Sequence, residues 1–261
     1  MGELKNGFIA GSVRAIISQP FDTIKTKMQS GNYKNSLECL KLTVKNEGIL
    51  FLYKGIAFPL IGNSFIVGTH FYVYHKLIEK PTYISGGCAG FFSSFISNPV
   101  ELVRIKMQLS DKSGNNKNYK NSFVCLKNIF KYNGYRGIFK GQEITTLRDT
   151  IGYSCFFHVY KNYYKYESYI DNFLNCSPFM HKAIKGSLCG FALWGSMYPI
   201  DVVKTIIQGA LLEEKQKNYT VCIKEIYEKH GLKGFYRGFG LTMFRAIPVN
   251  IGIVCAVELF S

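Results

Sequence analysis

Three segments of this chain repeat one another at fixed spacing, and an internal repeat of that kind leaves few folds open. They read SQPFDTIKTKMQ at 18–29, SNPVELVRIKMQ at 97–108 and MYPIDVVKTIIQ at 197–208. In each, a proline (Pro20, Pro99, Pro199) is followed two residues on by an acid (Asp22, Glu101, Asp201). A base stands three residues later (Lys25, Arg104, Lys204) and a glutamine four after that (Gln29, Gln108, Gln208). Nine residues before each proline a glycine closes a GxxxG: Gly7/Gly11, Gly86/Gly90 and Gly186/Gly190. Downstream, two glycines seven apart end in an aromatic-basic-glycine triplet. The pairs are Gly48/Gly55, Gly134/Gly141 and Gly231/Gly238, with Lys54, Lys140 and Arg237 as the bases.

Charge-poor stretches alternate with basic ones. Residues 6–21 hold only Arg14, and 55–74, 81–100, 186–200 and 246–257 hold no charge apart from His70. A sixth stretch, 150–160, follows Arg148 and Asp149. A membrane-spanning helix needs about 20 mostly apolar residues, so these are short and require polar neighbours facing an aqueous interior. Buried core helices of a soluble protein are the alternative by length, and the bulk figures (47% hydrophobic, mean hydropathy +0.02) fit either. A net charge of +15 suits anionic headgroups or nucleic acid. With no zinc-finger spacing and no nucleotide-binding glycine loop, lipid is the better partner and nucleic acid is not expected. The eight cysteines form no CxxC pair, which argues for packing roles and against a metal site. No cleavable leader is evident after Met1, and Asn6 stands where a myristoylation motif requires Ser or Thr.

The ordered repeat resembles the signature of the mitochondrial carrier family over essentially the whole chain. That resemblance implies an all-α membrane protein: six transmembrane helices in three tandem pseudo-threefold repeats, each with a short matrix-side helix. The repeats fall at 1–80, 81–168 and 180–261 and form one transmembrane domain. Helices are expected at 4–29, 35–46, 52–78, 82–108, 120–131, 138–166, 182–208, 218–229 and 235–260. A proline inside a helix removes a backbone bond and bends it, so three can draw the helices together at the axis. Acid and base at i and i+3 share one helix face. By resemblance they form a matrix gate pairing Asp22 with Arg104, Glu101 with Lys204 and Asp201 with Lys25, braced by Gln29, Gln108 and Gln208. Glycine amides beside Lys54, Lys140 and Arg237 suit a phosphate, and in the family this is where cardiolipin binds. The lipid-site residues are Gly48, Lys54, Gly55, Gly134, Lys140, Gly141, Gly231, Arg237 and Gly238. Structural cardiolipin is expected, with no other cofactor and no metal, in a monomer.

A polar residue facing the middle of a membrane bundle is a site hypothesis by default. Seven residues beyond each triplet glycine stand the family's contact positions: Gly62, Arg148 followed by Asp149, and Arg245 followed by Ala246. An adjacent arginine and aspartate can grip a zwitterion, the arginine taking a carboxylate and the acid an ammonium. A local ion pair holding helices together is the plainer reading. Trp194, five residues before Pro199, can hold an ammonium by cation–π contact or simply pack. The words SQPFDTIKTKMQ, LWGSMYPID and MFRAIPVN are similar to ornithine carriers, whereas IAFPLIG is closer to carnitine carriers. Ile66 stands where ornithine carriers place an acid, and only His70 is ionisable nearby. The outer gate departs too. Its acid positions read His75, Lys161 and Glu258, its base positions Ile78, Tyr164 and Ser261. The expected function is inner-membrane transport of a small zwitterionic or cationic metabolite, an amino acid of the basic class (ornithine, arginine, lysine), by alternating access as an antiporter. The alternatives are a carnitine/acylcarnitine carrier and a membrane adaptor that no longer transports. No bond in the substrate changes and no nucleophile-base pair is evident, so the protein is not expected to be an enzyme.

Overall fold

The computed structural model describes residues 2–31, 33–110, 121–165, 167, 178–210, 218–245 and 248–249, excluding the side chains of 2–12, 14, 178–179 and 182–183. All described secondary structure is helical. Three long helices carry the repeated prolines in their interiors: α1 (Gly2–Ser30), α4 (Thr82–Leu109) and α7 (Pro178–Gly209). Each is followed by a shorter helix: α2 (Ser36–Glu47), α5 (Ser122–Ile138) and α8 (Tyr219–His230). Then come α3 (Ala57–Lys76), α6 (Gln142–Asn162) and α9, helical over 239–245. The part of the last expected helix that runs to 260, with Ala246, Glu258 and Ser261, lies outside the described residues.

Local chemistry explains the starts and stops. Asn35 and Asn121 cap α2 and α5, their side-chain oxygens accepting from Glu38 N and Val124 N at 2.8 Å. The second glycine of each downstream pair (Gly55, Gly141, Gly238) has φ between 75° and 85°, a conformation that a side chain disfavours. That break delays α3, α6 and α9 by four or five residues relative to the starts expected at 52, 138 and 235. Inside α5, Gly134 (φ 59°, ψ −155°) interrupts the helix, so the short helix of the second repeat ends there.

The bundle is polar within and apolar without. Asp22, Lys25, Arg148, Asp149, Asp201 and Lys204 are buried, as are Gln19, Asn98 and Gln108. Meanwhile Phe65, Phe92, Phe191 and Phe244 are exposed on α3, α4, α7 and α9. In water such faces mark an interaction surface. Among the described residues, one helical stretch, Ile49–Lys76, is by itself long and apolar enough to cross a bilayer. The α4–α6 seam is closed by small residues. A Cβ at Gly90 would meet the Asp149 carbonyl oxygen at 2.2 Å, and one at Gly86 the Tyr153 carbonyl oxygen at 2.4 Å. This close backbone approach fixes the height of Asp149 against α4.

Candidate functional site

At the axis, the acids and bases of the repeated segments pair between helices. Lys25 Nζ lies 2.7 Å from Asp201 Oδ2, Arg104 pairs with Asp22, and Lys204 with Glu101. Each of the three helices thus gives an acid to one neighbour and a base to the other, because an i, i+3 spacing sets both charges on the inward face.

Two further arginines join this ring. Arg148, on α6, sends Nη1 to Asp201 Oδ1 at 3.0 Å and Nη2 to Glu101 Oε2 at 2.9 Å, so it bridges α4 and α7. Its Nε donates to Asp149 Oδ1 at 2.8 Å, and Ser97 Oγ donates to Asp149 Oδ2 at 2.8 Å. Arg245, on α9, pairs with Asp22. The result is one network of five cations and four carboxylates, in which Arg148 and Asp149 are 5% and 2% exposed. A carboxylate entering from elsewhere has to compete with Glu101, Asp201 or Asp22 for these guanidinium groups.

The other expected contacts have different partners. Trp194 stacks on the protein's own cations, with Lys25 Nζ 4.2 Å and Arg245 Cζ 5.3 Å from its ring. Gly62 faces α4, where a Cβ would meet Val100 Cγ2 at 2.7 Å, so its smallness serves close packing. Of the three glutamines, Gln29 reaches a ring carboxylate, donating to Asp201 Oδ2 at 3.2 Å. Gln108 instead accepts from Thr26 Oγ1 at 2.8 Å and donates to Thr23 Oγ1. Gln208 donates to Asn98 Oδ1 at 2.6 Å and to the Lys140 carbonyl at 3.2 Å. The brace expected beneath all three ion pairs is therefore made under one, and the other two glutamines tie helices to each other and to a triplet.

Residues that precede the prolines fasten the first and third triplets and, in the second repeat, the residue just before the triplet. Gln19 donates to the Lys54 carbonyl at 3.0 Å, Asn98 to the Ile138 carbonyl at 3.4 Å, and Tyr198 to the Arg237 carbonyl at 2.9 Å. Their shared register, one residue before Pro20, Pro99 and Pro199, was the available sequence signal. At the expected lipid sites, Gly48, Gly134 and Gly231 also have positive φ. Lys54 Nζ donates to Ser110 Oγ at 2.5 Å, and Arg237 Nη2 to the Tyr33 carbonyl at 2.8 Å.

The opposite end of the bundle is aromatic. Tyr74 stacks on Phe157 with centroids 4.1 Å apart, and Lys185 Nζ lies over Tyr160 and Tyr164 at 3.7 and 4.0 Å. His75 packs against Phe71 and Tyr74, and Tyr163 Oη is 2.9 Å from His181 Nδ1. Ile78 is half exposed.

A sequence profile of the family described as "Mitochondrial carrier protein" matches residues 1–80, 80–168 and 175–261. The "Glutamate/glycine mitochondrial carrier ymc1" of Schizosaccharomyces pombe is 35% identical, covering 94% of this chain and 88% of that protein. "Mitochondrial ornithine transporter 1" of Saccharomyces cerevisiae is 34% identical over 99% and 94% of the two chains. The human "Mitochondrial basic amino acids transporter" is 30% identical over 96% and 86%.

Proposed function

This chain belongs to the mitochondrial carrier family, and on that footing we propose that it moves an amino acid across the inner mitochondrial membrane by alternating access. The relatives' names agree on mitochondrial amino acid transport and differ on the side chain, glutamate/glycine in one and ornithine or basic amino acids in others. They lend no support to carnitine. The inverted bundle, polar at its axis and apolar outside, supports six spanning helices in a monomer, because lipid can cover the exposed phenylalanines that water would not.

One observation carries the mechanism: Arg148 is both buried beside Asp149 and bonded to two ring acids, Glu101 and Asp201. A substrate carboxylate that takes the guanidinium releases those acids, and its ammonium is met by Asp149. Binding thereby offsets part of the energy of opening the matrix gate, so the substrate shifts the population between two states. Arg245 on Asp22 repeats the arrangement on the third side. No covalent bond is made or broken, so the activity is transport and not catalysis. Cardiolipin at the glycine amides beside Lys54, Lys140 and Arg237 is the structural lipid. The test is uptake by reconstituted liposomes of labelled amino acids, carnitine and nucleotides. Exchange of amino acids alone supports the reading, and a protein that moves none of them is an adaptor.

A further inference from the structure

At the outer-gate positions of the second repeat, Lys161 stands in the acid's place and Tyr164 in the base's, so an ion pair of the expected kind cannot form there. The structure puts a different contact in that region. Tyr160 lies near the end of α6, and Tyr163 and Tyr164 open the short turn Tyr163–Lys165 that follows it. Lys185, half-buried on α7, brings its ammonium over these rings, 3.7 Å from the centroid of Tyr160, 4.0 Å from that of Tyr164 and 6.0 Å from that of Tyr163. An ammonium within about 6 Å of a ring centroid is attracted by the negative face of the ring. Neighbours other than the lysine place these rings. Tyr160 packs edge-on against Phe157 at 6.2 Å and against Tyr74 of α3 at 6.5 Å. Tyr163 is buried with its hydroxyl 2.9 Å from His181 Nδ1, and Tyr164 packs edge-on against it at 6.3 Å. The cage is thus built independently of its occupant.

We infer that Tyr160, Tyr163 and Tyr164 form a binding site for a small alkylammonium ion, that Lys185 is its resident occupant, and that this pairing fastens α6 to α7 at the outer end. The same two helices meet at the ring through Arg148 and Asp201, so the cage is a second tie between them, made by ring faces where the first is made by charge. Removing the lysine leaves the rings in place and opens the site to a free ion of the same class.

The full chain in detergent is unfolded thermally in methylammonium chloride and, at the same ionic strength, in sodium chloride. Lys185→Ala is expected to unfold below the parent. Methylammonium supplies the group this variant has lost and is expected to return part of the difference, whereas the parent, its cage filled, responds alike to the two salts. A ligand of the folded state at ten times its Kd raises the midpoint of a chain this size by roughly 3–6 °C. Adding Tyr164→Leu to Lys185→Ala removes a ring and should abolish the rescue. Should Lys185→Ala fail to fold, Tyr164→Phe and Tyr164→Leu decide with the lysine in place: the first keeps the ring face and the parent's midpoint, and the second unfolds lower. An equal response of Lys185→Ala to the two salts, rescue undiminished by Tyr164→Leu, or equal midpoints for Tyr164→Phe and Tyr164→Leu overturns the inference. None of these readouts depends on what the protein transports.

Discussion

Replacing Arg148 by alanine removes the one side chain that joins the ring acids of two helices to the contact position of a third. Its three carboxylate partners are affected unequally. Glu101 retains Lys204 and Asp201 retains Lys25 and Gln29, but Asp149 is left with the Ser97 hydroxyl. Breaking a buried ion pair from one side costs about 3–5 kcal/mol, and with two acids still paired the lower end applies. At about 2–4 °C per kcal/mol for a chain of this size, the unfolding midpoint falls by roughly 6–12 °C. Arg148→Ala therefore loses both transport and stability. Asp149→Asn separates the two effects, because it keeps the volume and the Ser97 contact while losing the charge that meets an ammonium. It is expected to unfold within a few degrees of the parent yet exchange no substrate. Arg148→Lys keeps the charge but not the forked geometry, and transport should fall strongly as well. Exchange rates in liposomes and thiol-dye unfolding curves are the two readouts. A folded Arg148→Ala protein that exchanges at the parent rate refutes the assignment.

Asp22→Lys should shift the gate toward its open state, and Arg104→Glu on top of it should restore transport in part only, because Arg245 still faces the introduced lysine; full restoration in exchange assays would show Arg245 to be idle. Added cardiolipin should raise the unfolding temperature in detergent, as a ligand of the folded state alone does, and an unchanged midpoint counts against the proposed glycine-amide sites. Cys39, Cys125 and Cys222, which are buried at the same register of α2, α5 and α8, should resist maleimide until the protein unfolds. Burial pushes the Cys39 thiol up to about 11 and that of Cys125 to about 12, so raising the pH to 8 should not speed labelling of the native protein.

Much of this arrangement was legible in the sequence because it repeats. The ring acids and bases, the in-helix prolines and the positive-φ glycines recur at equal spacing, and periodicity alone places each on a helix face or a break. What the repeat does not carry was harder to read. Arg148 and Asp149 have no counterparts at 62 and 63, where Gly62 and Asn63 stand, so nothing in their spacing says that Arg148 reaches Glu101 and Asp201 on other helices. Gln29, Gln108 and Gln208 look equivalent in sequence, yet their neighbours differ, with Thr23 and Thr26 claiming Gln108 and Asn98 claiming Gln208. Trp194 offers its ring to any cation in reach, and in the folded protein Lys25 and Arg245 take it. Gly62 serves Val100 for the same reason: a residue's neighbours across a helix seam are tertiary facts.

Sidedness of access is the most direct measure of alternating access gated by this network. The three matrix pairs are reinforced by Arg148 and Arg245, whereas the described outer end is held by ring stacking and by Lys185 over tyrosines. The unliganded protein should thus rest open to the cytoplasmic side. Cys155 lies two turns beyond Arg148 on the same face of α6, half-buried, and can be kept as the one cysteine in a variant that lacks the other seven. In oriented liposomes an impermeant thiol reagent is predicted to label it from the cytoplasmic side, and saturating substrate to open labelling from the matrix side. Labelling of the unliganded protein preferentially from the matrix side would contradict the account.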